Sequence, residues 1–399
     1  MRRVAITGLG CVSAYGLGVP AFWDGISQGR PAIVPLRTMK TDNLKITTGA
    51  EFSDYNPATA IDSDNQLLGD RAAQFAVIAA REAVKHSGLD AIPRESAIVT
   101  GCCVGGKHAE DASYWDVYAE KKPRVHPLTI PRVMANSGAS LIAMDQKVAG
   151  PTFTISTACS SANHAIGQAL WLIRQGITDV ALAGGNESPF VFGLVKAWEA
   201  MRVVSPDVCR PFSADRKGMS LGEGAGILVL EEYERAQARG ATIYAELAGF
   251  GMSADAHHIT QPHPEGAAAA MRMALRDANL APESIGYINA HGTGTLANDP
   301  SETQAIRLVF NSHAESIPIS STKSMHGHAL GAAGALEAIA STLALHHGIL
   351  PPTANYIGPD PDCNLDFIPN TPRPAQPEAT LSNSFAFGGL NAVIALRRS

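Results

Sequence analysis

Short apolar runs alternate along this chain with longer stretches of helical spacing. Val4–Gly10 predicts a buried strand. Ala72–His86 (AAQFAVIAAREAVKH) repeats its apolar positions every three to four residues and is followed by Gly88, a natural helix stop. Ala97–Thr100, Asp179–Ala183 and Gly226–Leu230 read as further strands, the second ending in Gly184-Gly185. Strands of this kind interleaved with helices predict an α/β fold with its strands covered on both faces. The Pro-rich stretch Pro351–Pro374 reads as surface loop.

The same pattern occurs twice. REAVKHSGLD leading to SAIVTGCCVGG is matched by RMALRDANLA leading to GYINAHGTGT. Each is a helix, a turn, a short strand and a Gly-rich loop. Ile155–Gly176 is likewise matched by Ser320–Gly348: a strand, a tight loop of small residues and a long helix ended by glycine. Two similar halves, 1–240 and 241–399, would place equivalent loops at a shared centre. No low-complexity linker separates them, so they are expected to form one fused body.

Composition narrows the classes. Hydrophobic residues make up 45% and charged residues 17% of 399 positions, enough apolar material for a large core and too much for a disordered chain. Lys and Arg total 31 against 37 Asp and Glu, a net charge of −6 without a basic run, which argues against nucleic-acid binding. Met1-Arg2-Arg3 precedes an apolar run, but Gly8, Gly10, Ser13 and Gly16 break it, and a first strand is the better reading than a signal peptide. No stretch is long and apolar enough for a membrane span. The six cysteines have no CxxC spacing, so reduced thiols in a cytoplasmic enzyme are expected.

Candidate chemistry lies in the duplicated loops. Cys159, in Thr157-Ala158-Cys159-Ser160-Ser161, falls where a strand gives way to a helix. Partial positive charge at a helix N-terminus lowers a thiol pKa, and backbone N–H groups at such a turn can hold an oxyanion. A buried structural cysteine is the competing reading. His291 follows the strand GYINA, and His328 precedes a helix expected to begin near Ala329. Each histidine alone is unremarkable; on loops paired by the duplication with a helix-start cysteine they form a constellation. Gly218-Met219-Ser220-Leu221-Gly222 fits GxSxG, but a charged loop precedes it and a strand follows, the reverse of a nucleophile elbow. Gly8-x-Gly10 is a broken dinucleotide motif, and His257, His258, His263, His346 and His347 give no zinc spacing, so no metal is expected.

The motifs STACSSANHAIG, NAHGTGT, SSTKSMHGHALGAAGALE and NSFAFGGLNA, in this order, resemble those of the β-ketoacyl-acyl-carrier-protein synthases of the elongating Cys-His-His type. The resemblance runs from Thr7 to about Leu396. It implies the thiolase fold: two βαβ-rich halves in a five-layer αβαβα body, assembled as a dimer. It implies a decarboxylative Claisen condensation of an acyl chain with malonyl-carrier protein, giving 3-ketoacyl-carrier protein and CO2. By resemblance, Cys159 carries the acyl group, and His291 and His328 assist decarboxylation and bind the enolate. Lys323 matches the family's active-site lysine, with Glu337, Asp299 and Glu302 as acids around it. Thr293 and Thr295 match the threonines that hold the phosphopantetheine arm. Phe387 matches the gating phenylalanine, its N–H completing an oxyanion hole with that of Cys159. Val125 and His126 align with a wall of the acyl pocket near the dimer interface.

The sequence also separates relatives within that superfamily. A thiolase would carry a second cysteine on the late glycine loop, which here reads SFAFGGLNA. An initiating synthase would have Asn at His328, and a chain-length-factor subunit would lack Cys159. His326, Ala386 and Leu390 stand where many members have Thr, Gly and Thr. The segment Asp62–Asp70 lacks the basic run that often docks the acidic carrier, and Lys121, Lys122 and Arg124 could substitute in part. No permanently bound cofactor is expected. The expected partners are acyl carrier protein and a second subunit, either a copy of the chain or a chain-length-factor-like protein. The stretches LVKAWEAMRVVSPDVCRPFSADRKG and HGTGTLANDPSET favour a specialised, nodulation- or aryl-polyene-type pathway making an unusual chain; housekeeping elongation and a non-condensing subunit are the alternatives.

Overall fold

The computed structural model describes residues 2–399. Ten strands form one continuous sheet path, and its order repeats. In the first half the order is Val4–Ser13, Gly224–Glu232, Val180–Glu187, Ala97–Gly101, Thr152–Ile155. In the second it is Ala245–Ala254, Leu390–Arg397, Ala379–Ala386, Ile285–Asn289, Ile319–Ser320. Parallel and antiparallel pairings fall at the same places in both. The two first strands then pair antiparallel, Ala5 with Glu246 and Ile6 with Ala245, which joins the halves.

Two helices run between the sheets. Ser161–Arg174 packs on Ala97–Gly101 and Val180–Glu187 of its own half and on Ala245–Ala254 and Leu390–Arg397 of the other. Ala333–His347 does the reverse. Ala333 through Leu345 are all buried, and apart from Glu337 the helix is apolar or small on every face, as a helix enclosed by two sheets must be. Gly167 and Gly334 permit the close approach: a Cβ there would lie 2.3 Å from the Phe250 ring and 2.6 Å from Asn163 Oδ1. Arg71–Ser87 and Ser137–Gln146 cover one outer face, Pro264–Ala278 and Asn298–Phe310 the other. The result is the five-layer αβαβα body of the thiolase fold.

The helix expected over Ala72–His86 spans Arg71–Ser87, capped by Asp70 and ended by Gly88 at φ 69°. Three expectations change. The strand read as Asp179–Ala183 continues through Gly184 and Gly185 to Glu187, because those glycines pair directly with Ile227 and Gly226. The helix after His328 begins at Ala333, since Leu330–Ala332 forms a 3-10 turn with Leu330 at φ 45°. Pro351–Pro374 is irregular, yet Pro351 to Ala354, Cys363, Phe367 and Ile368 are buried, so the segment packs against the second half rather than floating over it.

Candidate active site

Cys159 sits in a tight turn between the strand Thr152–Ile155 and the helix Ser161–Arg174. Ala158 before it has φ 50°, a left-handed conformation that a Cβ-bearing residue adopts only when its surroundings hold it there. Those surroundings are local hydrogen bonds. Ser160 and Ser161 donate through backbone and hydroxyl to the carbonyls of Thr157 and Ala158, and Thr157 N–H donates to Ser161 Oγ at 2.9 Å. Small hydroxyl residues are needed because the turn supplies its own acceptors.

His291 follows the strand Ile285–Asn289. Two carboxylates of the helix Asn298–Phe310 hold its loop. Glu302 accepts from the N–H groups of His291 and Gly292 at 2.8 and 2.7 Å, and Asp299 accepts from those of Gly294 and Phe212 at 3.1 and 2.7 Å. Glu302 also accepts from Asn383 Nδ2 at 3.1 Å. Asp299 and Glu302 make no hydrogen bond to Lys323, although its charge reaches Glu302. They are bound to loop amides, Asp299 from the first turn of its helix and Glu302 from the next. Lys323 instead donates to Glu337 alone, and both side chains are fully buried. Burial pushes Glu337 up to about 7 against the pull of the lysine, and pushes Asp299 up to about 6.

His328 is fixed by the segment that carried the serine-elbow match. Its N–H donates to Ser220 O at 2.7 Å, and its carbonyl accepts from Gly222 N at 2.9 Å. The His291 and His328 rings meet edge to face, with centroids 5.4 Å apart. Burial, the Lys323 charge and a neighbouring imidazole (His328 for His291, His326 for His328) hold both far below the usual histidine range, so both are neutral at physiological pH. His291 Nδ1 and both ring nitrogens of His328 are buried without a partner. Orphaned polar atoms of this kind are costly unless something binds them.

Phe387 lies on the turn between the strands Ala379–Ala386 and Leu390–Arg397. Gly388 and Gly389 follow at φ 84° and 69°. The turn is tied to the segment after Ala245–Ala254: Gly388 donates to Ile259 O and Asp255 to Gly389 O, each at 2.8 Å. The Phe387 ring stacks on Trp198 at 6.2 Å.

These pieces converge. Cys159, His291, His328, Thr293, Thr295 and Phe387 line one cavity of about 220 Å³. The backbone N–H groups of Phe387 and of Cys159 itself pull the Cys159 thiol pKa down, which places both amides near the sulfur. Thr293 Oγ1 and Thr295 Oγ1 are 2.9 Å apart along the cavity wall. The thiol itself departs from expectation. Burial pushes it up to about 12, outweighing the Lys323 charge and the two amides that pull it down. Cys159 precedes the helix rather than standing in its first turn, and it is 7% exposed, so desolvation wins.

Val125 and His126 do not line this cavity. They occupy an exposed loop, and His126 borders a separate surface pocket with Arg71, His108 and Arg132. Sequence reasoning missed Glu302's hold on His291, the Ser220–Gly222 brace of His328 and the buried Glu187. The GxSxG segment and Glu302 had drawn notice, each for a different reason.

A buried cysteine facing two amides and two neutral histidines, on a duplicated five-layer α/β body, defines the class of condensing acyltransferases. The chain belongs to the β-ketoacyl synthase family: the N-terminal domain of that family matches residues 1–236 and the C-terminal domain residues 244–357. It is 49% identical to nodulation protein E of Rhizobium sp. (strain N33) over 400 residues, covering 100% of this chain and 99% of the relative. It is 39% identical to 3-oxoacyl-[acyl-carrier-protein] synthase 2 of Coxiella burnetii (strain RSA 493 / Nine Mile phase I) over 409 residues, covering 100% and 99%. Among solved structures it superimposes on the ishigamide ketosynthase/chain length factor with a TM-score of 0.96 at 39% identity, covering 100% and 99%. Among the described residues no helix is long and apolar enough to cross a membrane.

Proposed function

We propose that Cys159 accepts an acyl chain from acyl carrier protein and condenses it with malonyl-carrier protein. The observation that carries this is the cavity in which a thiol with two backbone amides near it faces two neutral histidines with unpartnered ring nitrogens. Attack of the Cys159 sulfur on the incoming thioester forms the acyl-enzyme, and the thiol proton leaves with the departing carrier thiol. Malonyl thioester then loses CO2. His291 and His328 donate to the enolate oxygen, a role for which neutral imidazoles suit better than an acceptor-only group. The enolate carbon attacks the Cys159 thioester, a carbon–carbon bond forms, and the sulfur leaves and regains a proton. The amides of Cys159 and Phe387 stabilise the tetrahedral oxyanion. Thr293 and Thr295 line the path of the phosphopantetheine arm. Lys323, bonded to Glu337, keeps the histidines neutral by its charge.

Residues 1–240 and 241–399 form the two halves of this machine, a division supported by the repeated strand order and by the limits of the two family matches. At the cavity mouth Arg202 and Lys217 are exposed and make no ion pair among the described residues. They offer the carrier a positive landing site, which the Asp62 region does not: Asp62 is engaged by Arg81 at 2.6 Å. The strand Thr152–Ile155 ends the sheet with an exposed Phe153, and Trp115, Tyr118 and Ile130 are exposed on the adjoining segments. A second subunit, a copy or a chain-length-factor-like protein, would pair at this edge and bring Val125 and His126 to the end of the acyl pocket. The nodulation-protein and ishigamide relatives support a specialised pathway. The purified protein, with and without such a partner, should convert acyl- and malonyl-carrier proteins to ketoacyl product with one CO2 per new bond. Cys159→Ala should give none; ketoacyl product from that variant would overturn the residue assignment.

A further inference from the structure

Glu187 ends the strand Val180–Glu187 and is completely buried. Its carboxylate has no cation bonded to it among the described residues. Four donors surround it instead. Cys103 N–H and Gly331 N–H donate to Oε2 at 2.7 and 3.1 Å, and Val104 N–H and Cys102 Sγ donate to Oε1 at 3.3 and 3.5 Å. Burying a carboxylate without a cation is costly, yet every lone-pair direction here is met by a protein donor.

The donors come from two places that matter to the chemistry. Cys102 N–H donates to Ile155 O at 3.1 Å, at the entrance to the turn that presents Cys159. Gly331 lies in the 3-10 turn directly after His328 and belongs to the other half. Its glycine is required: a Cβ would lie 2.4 Å from Cys103 N and 2.6 Å from Glu187 Oε2. The Cys102–Val104 loop, hydrogen-bonded to the strand that leads into the nucleophile turn, and the His328 turn are therefore held by one carboxylate.

We propose that Glu187 is a positioning residue that sets the separation of Cys159 and His328 by tying together the two turns that carry them. The inference rests on the ketosynthase reading. A carboxylate is needed because both of its oxygens accept. A glutamine offers one acceptor and would turn an N–H pair toward either Cys103 and Gly331 or Val104 and Cys102. Acyl transfer needs Cys159 and its oxyanion amides but not His328, whereas condensation needs Cys159 and His328 in register. A displaced register therefore lowers condensation more than acylation.

The test compares the parent protein with Glu187→Gln and Glu187→Asp. Ketoacyl product from the parent establishes the ketosynthase reading separately. For a folded variant the expected result is a fall of roughly 30- to 100-fold in kcat for condensation, as an ångström-scale misplacement gives. The KM for the acyl carrier and the rate of Cys159 acylation should stay within about threefold. Condensation unchanged, or acylation and condensation falling together, would overturn the proposal. So would failure of both variants to fold, which would make Glu187 a structural residue.

Discussion

At the residue scale the site is governed by desolvation. His291, His328, Lys323, Glu302 and Glu337 are all buried around Cys159, and few of their charges are free. Burial, reinforced by the Lys323 charge, leaves the histidines neutral, and burial leaves the thiol protonated against that same charge. A thiol raised to about 12 is almost wholly protonated at pH 7, and its thiolate fraction grows tenfold for each unit of pH below that value. Alkylation of Cys159 by iodoacetamide in the unliganded protein should therefore climb about tenfold per unit between pH 7 and 9. A plateau reached by neutral pH would show a thiolate already formed and would contradict the desolvated-thiol account. That Cys159, His291 and His328 would share one site was legible from the duplicated motifs, and for Cys159 the motif neighbours are also its structural supports. Ser160 and Ser161 build the Cys159 turn from within. The thiol pKa was misjudged because burial depends on residues far away in sequence, among them Phe387.

At the element scale the Phe387 turn makes the sharpest comparison. Gly388 and Gly389 both have positive φ, but their surroundings differ. A Cβ on Gly388 would meet nothing nearer than Leu390 Cγ at 3.8 Å, whereas one on Gly389 would lie 2.6 Å from Asp255 Cβ. Gly388→Ala should cost only the backbone strain, about 1–2 kcal/mol in thermal unfolding, with kcat little changed. Gly389→Ala must also push the turn away from Asp255, moving the Phe387 amide off the sulfur, and should lower kcat by roughly tenfold to a hundredfold. Equal effects of the two substitutions on kcat would show that the Asp255 contact does not position the turn. The strands and long helices were legible from periodicity, and Gly88 marked a true helix end. The braces were not. Ser220 reaches His328, and Glu187 reaches Gly331, across more than a hundred positions, and neither shows a local pattern. Asp299 and Glu302 were picked out as important, but their work is on the amides of the His291 loop rather than on the lysine.

At the scale of the whole molecule the duplication explains why the site exists where it does. Each half supplies a strand, a loop and a central helix, and the two helices cross between the sheets. Cys159 comes from one half, and His291, His328 and Phe387 from the other, so the reaction is carried out at the seam. That much was legible, because a repeated order of elements survives where individual residues have diverged. The expected place of Val125 and His126 in the cavity wall was not met, because both lie on an exposed loop away from the cavity that Cys159 lines. The central claim is that this seam makes a carbon–carbon bond through an acyl-Cys159 intermediate. Intact-protein mass spectrometry tests it most directly: the protein is incubated with acyl-carrier protein, digested to locate the adduct, and then chased with malonyl-carrier protein. The account predicts one acyl group on Cys159, its loss on the chase, and matching ketoacyl-carrier product. Product formed without any acyl adduct on Cys159, or an adduct that the chase removes only by hydrolysis, would contradict it.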